Sequence, residues 1–255
     1  MQYTLKKSLG QHFLTDTQIC LKIQAVLQEE AIEQMVEVGP GAGALTEYIH
    51  KIPTTSFKAI ELDTEKVRYL LHTYPELEGK LINEDFLETA IPFEGQFVLV
   101  GNFPYNISTQ IVFKVLEWKL QVPTMVGMFQ KEVAQRIAAK PNSKTYGILS
   151  VLTQAYYDVT YLFDVPPTSF NPPPNVESGM IQFKRKAHFP EMASEKSFFH
   201  LVKMAFGQRR KMLRNPLKPY FTTAQLEDPI FTKRAENLTF EDYAALTFKM
   251  HVPST

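Results

Sequence analysis

Short apolar runs alternate with stretches of helical spacing along the first half of this chain, and few folds accommodate that pattern. Runs at 35–38, 57–61, 81–83, 97–100 and 125–129 read as strands. Between them, 44–50, 64–74 and 107–118 have helical periodicity. Such alternation implies an α/β fold with a doubly wound, mostly parallel sheet and right-handed crossovers. Two further runs, 156–163 and 180–183, flank a proline-rich loop at 166–174 and are expected to form an antiparallel hairpin closing one edge. Ahead of the sheet, Asp16 or Thr15 is expected to cap a helix reaching residue 28, with Ile19, Ile23, Val26 and Leu27 on its apolar face. After Arg185 the pattern changes: 197–206 and 240–250 are helical and no strand is convincing. The expected organisation is one α/β domain over 1–185 and a small all-helical domain over 186–255, without internal repeats.

Composition narrows the classes. With 255 residues, 44% of them hydrophobic, the chain can bury a sizeable core. No stretch approaches the roughly 20 apolar residues of a membrane span, and the first residues lack a signal peptide's apolar segment and cleavage site. The single cysteine, Cys20, excludes an intrachain disulfide, fits a reducing cytoplasm and is expected to be a core thiol. A formal net charge of zero conceals a basic face. Between residues 200 and 218 stand Lys203, Arg209, Arg210, Lys211, Arg214 and Lys218, with no Asp or Glu. Arg210 and Arg214 are four apart and are expected to share a helix face. Lys184, Arg185 and Lys186 add charge at the domain junction. Cations grouped in this way suit the phosphates of a nucleic acid.

Val36-Glu37-Val38-Gly39-Pro40-Gly41-Ala42-Gly43-Ala44 reads as strand, glycine turn and helix start. Glycines there allow a ligand to approach the backbone, and the helix offers free N–H groups. Glu61 ends the next strand, where a carboxylate accepts from ribose hydroxyls. Asp85 ends the third strand and can accept from an adenine amine or cap the following turn. The loop thus suits an adenosine-type cofactor, with nicotinamide dinucleotides and S-adenosylmethionine both open.

The fourth strand separates the two. It runs into Gly101-Asn102-Phe103-Pro104-Tyr105-Asn106-Ile107-Ser108, which places an amide, a proline and an aromatic ring at a strand's carboxyl end. A dehydrogenase needs a proton donor or acceptor beside the nicotinamide. An amide and a ring suit amine methylation instead. The Asn102 oxygen and the Pro104 carbonyl can take the two N–H bonds of an exocyclic amine, and Tyr105 can stack on the base. What remains is in-line positioning of the amine on the methyl carbon.

With Lys6-Lys7-Ser8-Leu9-Gly10-Gln11-His12-Phe13-Leu14 before these motifs, and Ser169-Phe170-Asn171-Pro172-Pro173-Pro174-Asn175-Val176-Glu177-Ser178 and Phe206-Gly207-Gln208-Arg209-Arg210-Lys211 after them, the chain closely resembles the small-subunit ribosomal RNA adenine N6,N6-dimethyltransferases over most of its length. The resemblance implies a class I methyltransferase (Rossmann-like) fold. It also implies S-adenosylmethionine as cofactor and methylation of two adjacent adenosines near the 3′ end of small-subunit rRNA. By resemblance, His12, Leu14, Gly39, Gly41, Glu61, Asp85 and Asn102 hold the cofactor. Asn102, Pro104 and Tyr105 hold the target base, and Phe170 is a second aromatic wall beside the shaped proline loop. Extrusion of the target adenosine explains such walls. Lys184, Arg185, Arg209, Arg210, Lys211 and Arg214 are expected to hold RNA. One departure stands out: Phe103 replaces the family's usual aliphatic residue, and is expected to narrow the pocket slightly without changing the chemistry.

The implied partner is small-subunit rRNA within an immature subunit, met by a cytoplasmic monomer without a metal or membrane contact and acting in rRNA processing and ribosome biogenesis. Three alternatives stand beside this reading: an antibiotic-resistance methyltransferase of large-subunit rRNA, a mainly non-catalytic assembly factor, and a dehydrogenase.

Overall fold

The computed structural model describes residues 12–31, 33–53 and 56–251. The arm motif from Lys6 to Gln11 lies outside the described residues. The chain opens with β1 (Phe13–Leu14), α1 (Thr17–Gln28), β2 (Gln34–Val38), α2 (Thr46–Ile49), β3 (Ser56–Ile60), α3 (Thr64–Thr73) and β4 (Leu81–Ile82). It continues through β5 (Val98–Asn102), α4 (Ser108–Glu117), β6 (Thr124–Gln130), α5 (Lys131–Ala138), α6 (Ile148–Gln154), β7 (Tyr157–Val165), β8 (Phe170–Asn171) and β9 (Ser178–Arg185). The helices α7 (Glu195–Gly207), α8 (Arg214–Leu217) and α9 (Phe240–Thr247) follow, with short 3-10 turns between α8 and α9.

Among the described residues the main sheet has seven strands in the order β4-β3-β2-β5-β6-β9-β7. Strands β4 through β6 are parallel, and β9 joins β6 antiparallel. The central strands are apolar on both faces because helices cover both: Met35, Val36, Leu99, Val100, Met125 and Val126 are all buried. From β2 the chain moves outward to β3 and β4, then crosses back to β5 on the other side. The strand order therefore reverses between β2 and β5, whose carboxyl ends open a crevice.

Asp16 caps α1: its carboxylate accepts from the N–H groups of Gln18 and Ile19. The same side chain takes a 2.8 Å bond from the Ser169 hydroxyl, which holds its carboxyl below the usual range. Helix α1 buries Ile19, Cys20, Ile23 and Leu27 against the sheet.

The structure adds elements that the sequence does not reveal. The pair β1–β8 is a second sheet of two residues on each side, with Phe13 opposite Asn171 and Leu14 opposite Phe170. Strands so short carry no alternation to read. Helix α5 is amphipathic but only eight residues long, and α6 buries the five consecutive residues 149–153, so it shows no exposed polar face to read. The stretch 44–50 yields only the one-turn helix α2, because the glycine turn occupies what precedes it.

The chain divides into two compact units: residues up to Ala134 with Thr160–Arg185, and Gln135–Val159 with the residues from Lys186 onward. Residues 135–159, placed by the sequence reading in the first domain, thus belong with the helical unit. The physical reason is α6, which packs on α7 and α9. The Gln154 amide further ties α6 to the carbonyls of Ile137 and Ala139, at 2.8 Å each.

Candidate active site

The crevice at the ends of β2 and β5 is a cleft within the first unit. His12, Leu14, Gly39, Gly41, Glu61 and Asp85 line it, and so do Asn102, Pro104 and Tyr105. Gly39 and Gly41 adopt φ of +67° and +57°, a region that side chains rarely enter. A Cβ on Gly41 would lie 2.7 Å from the Phe13 ring, so the arm closes directly over the glycine turn. Phe13 also lies 5.0 Å from the ammonium of Lys66, a lysine buried completely within α3.

Two buried carboxylates face this cleft. Glu61 accepts from the N–H of Gly41 at 3.0 Å and of Asp63 at 2.9 Å. Burial raises its pKa, and those two bonds oppose the rise. Glu37, only 2% exposed, accepts from the Thr46 hydroxyl at 2.7 Å. Burial pushes its carboxyl up to about 8, against the Thr46 bond, with the nearby charge of Glu61 adding to the rise. Glu37 is a site residue the sequence reading missed; a carboxylate inside a strand next to the glycine turn was the available signal. Asp85 is half-buried, and one of its oxygens accepts from Leu87 N–H at 2.9 Å, so it both caps its turn and lines the cleft. Leu62, 51% exposed, and the buried Phe86 supply apolar walls that were also not foreseen. Paired carboxylates beside apolar walls and a close backbone approach fit a cationic adenosine cofactor such as S-adenosylmethionine.

At the other side of the cleft, the Asn102 amide nitrogen donates to the His12 carbonyl at 3.0 Å. This bond orients the amide and, among the described residues, leaves its oxygen as the acceptor. The Pro104 carbonyl accepts from Ile107 N–H at 3.2 Å and keeps a second lone pair. The Tyr105 hydroxyl bonds to the Ser178 hydroxyl at 2.6 Å, and burial raises its pKa, so it stays a phenol. Its ring stacks on His12 with centroids 5.7 Å apart. His12 Nδ1 lies 2.8 Å from the Pro172 carbonyl, which requires the proton on that nitrogen.

Phe170 does not line the cleft in this structure. Its side chain is 4% exposed and packs in the core with Leu14 and Ile19, off the cleft lining. Pairing of β8 with β1 turns it inward, and the ring against Tyr105 is that of His12. Among the described residues no group of three or more His, Cys, Asp or Glu side chains is placed to hold a metal ion. Among the described residues no helix is long and apolar enough to cross a membrane.

The family model for ribosomal RNA adenine dimethylases matches residues 2–249. The chain belongs to the ribosomal RNA adenine dimethylase family. It is 51% identical over 249 residues to ribosomal RNA small subunit methyltransferase A of Flavobacterium johnsoniae, covering 96% of this chain and 95% of that protein. Identity to the protein of the same name from Cytophaga hutchinsonii is 47% over 248 residues, covering 95% of each. Two solved structures share the fold. One is a dimethyladenosine transferase from Plasmodium falciparum, with TM-score 0.75 and 23% identity over 91% of this chain and 94% of that one. The other is the 23S rRNA methyltransferase ErmE, with TM-score 0.70 and 22% identity over 93% and 99%.

The basic residues of this dimethylase fall into two groups. Arg209 is engaged within its own unit: its guanidinium donates to the Lys144 carbonyl at 2.7 Å and the Ser143 carbonyl at 3.3 Å, and lies 3.5 Å from Glu236. Lys184 pairs with Glu30 at 2.7 Å, and Arg185 donates to the carbonyls of Lys119 and Leu120. Lys186 pairs with Asp158 at 2.8 Å. Arg210, Lys211 and Arg214 are exposed. Arg210 and Arg214 do not share a helix face, because α7 stops at Gly207 and α8 starts only at Arg214. The Arg209 bonds bring the loop carrying exposed Lys140 and Lys144 beside this segment. Leu213 N–H donates to the Lys233 carbonyl and Met212 bridges Arg234, adding two more exposed cations. Sequence reading missed these four because they are far apart along the chain.

Proposed function

We propose that this dimethylase transfers methyl groups from S-adenosylmethionine to N6 of two adjacent adenosines near the 3′ end of small-subunit rRNA, giving N6,N6-dimethyladenosine. One juxtaposition carries the reading: the acceptors of Asn102 and Pro104 and the ring of Tyr105 line the same cleft as Glu37 and Glu61. Gly39, Glu61 and Asp85 would hold the cofactor, whose sulfonium supplies an electrophilic methyl group. Asn102 and Pro104 accept the two N–H bonds of an extruded adenine, freeing its lone pair and aiming it along the transfer line. After one methylation a single N–H remains, so the second transfer uses one acceptor and relies more on the Tyr105 stack. The cations around Arg210 and Lys144 hold the phosphates. Half-identity to proteins named for the small subunit supports that target. The fold shared with ErmE keeps the large subunit as the reading to beat.

The test is incubation with labelled S-adenosylmethionine and unmethylated small or large subunits, followed by nucleoside analysis. Dimethyladenosine from small subunits is expected; label confined to large subunits would overturn the assignment.

Glu37 gives a pH prediction. Its native pKa, near 8, lies above the unfolded value of 4.5, so the native state binds the extra proton between those values. Stability due to this group is therefore full below about pH 4.5 and falls as pH rises toward 8. Glu37→Gln removes that loss. Its melting temperature without cofactor should exceed that of the unaltered protein by a margin that widens from pH 5 to pH 8. Its affinity for the cationic cofactor should fall only above about pH 8, where Glu37 of the unaltered protein is ionised. A constant margin across that range would show that Glu37 is ionised in the native state.

A further inference from the structure

The strongest feature outside this account is the seat of Phe103. Its ring is 1% exposed, yet it reaches the cleft between the two residues that present the amine acceptors. Gly101 on β5 and Gly127 on β6 are direct register partners. One edge of the ring lies over each. A Cβ built on Gly101 would stand 2.7 Å from Phe103 Cε1 and 3.0 Å from Cδ1. A Cβ on Gly127 would stand 2.3 Å from Phe103 Cε2 and 3.1 Å from Cδ2. Phe129 closes the slot edge-to-face, with centroids 5.1 Å apart, and its Cε2 would be 2.8 Å from the Gly127 Cβ. Below Gly101 there is no room either: its Cβ would meet the Val38 carbonyl at 2.6 Å, one residue before the glycine turn. The phenyl ring is therefore keyed into a notch that exists only because two facing strand residues lack side chains. Glycine is otherwise unfavourable inside a central strand, so such a pair calls for a reason of this kind.

We propose that Phe103 is a positioning residue for methyl transfer. Seated in the Gly101–Gly127 slot, its ring fixes the backbone on which Asn102 and Pro104 present their acceptors. Gly127, which does not line the cleft, belongs to the same device. This rests on the acceptor roles given to Asn102 and Pro104 above. A displaced ring must carry residues 102–104 with it, since Phe103 N–H is bonded to the Met128 carbonyl on the neighbouring strand at 3.3 Å. Misplacement by about 1 Å at a reacting centre costs on the order of 10²-fold in rate.

The test compares Gly127→Ala, Phe103→Leu and the double variant, assayed on small subunits well below each variant's melting temperature. Gly127→Ala should lower kcat at least about tenfold while cofactor Kd, measured by calorimetry, stays within about twofold. Phe103→Leu should lower kcat less. The double variant should recover most of the kcat that Gly127→Ala loses, because leucine vacates the edge the new methyl needs. If Gly127→Ala fails to fold, the double variant should fold, and Phe103→Leu must still reduce kcat more than cofactor affinity. A folded Phe103→Leu enzyme with unaltered kcat would overturn the proposal. So would a double variant as impaired as Gly127→Ala, or losses of kcat and cofactor affinity in equal proportion. Failure of the functional reading itself would show separately, as no dimethyladenosine from the unaltered protein.

Discussion

Asn102→Ala is expected to reduce methyl transfer by about 10²–10³-fold, the scale on which a preorganised polar group in a reaction site is worth several kcal/mol. Two losses combine. The amine loses the acceptor that frees its lone pair, and the arm loses the 3.0 Å bond between the Asn102 amide and the His12 carbonyl. Asn102→Asp separates them: it keeps an oxygen acceptor but sets a carboxylate against the His12 carbonyl, so it too should be slow. Subunit binding by Asn102→Ala should stay within about threefold, because phosphate contacts supply most of the affinity of such complexes. Single-turnover methylation and filter binding on the same preparation measure both quantities. Binding lost together with turnover would show that cleft and basic surface do not act independently.

The second large effect concerns charge. Reversal of Arg210, Lys211 and Lys144 to Glu should weaken small-subunit binding by at least about a hundredfold at moderate salt and flatten its salt dependence, each lost phosphate contact removing roughly 0.7–0.9 from the slope. Arg209 is a poor choice for this experiment despite its place in the basic run. Its guanidinium holds the 143–144 carbonyls and faces Glu236, so Arg209→Glu should lower the melting temperature first. An unchanged slope in the triple variant would place the RNA surface elsewhere.

Much of the sheet could be read from the chain because its cues are local. Each buried parallel strand is an unbroken apolar run, and the glycine turn, Glu61 and the Asn102–Tyr105 segment each end one. Parallel connectivity then forces those ends onto one edge. Phe170 could not be read in this way. The family resemblance made it a second pocket wall, whereas pairing of Leu14 with Phe170 across more than 150 residues turns the ring into the core. The same long-range pairing sets His12 against Tyr105. Glu37 escaped notice because its raised pKa comes from burial, which only packing sets. Segment 135–159 groups with the later helices by its contacts, and the sequence does not show this because α6 is buried on nearly all sides and such a helix does not say which neighbour it packs on.

The sequence by itself determined the α/β class, the strand ends that line the cleft, and a basic run on the helical part. All of these depend on residue order and on periods of two or 3.6. Tertiary structure alone decided which aromatic faces Tyr105, which arginine is tied up in its own unit, and that Gly127 makes room for Phe103. These depend on contacts between segments far apart in the chain, and nothing local to either partner encodes them.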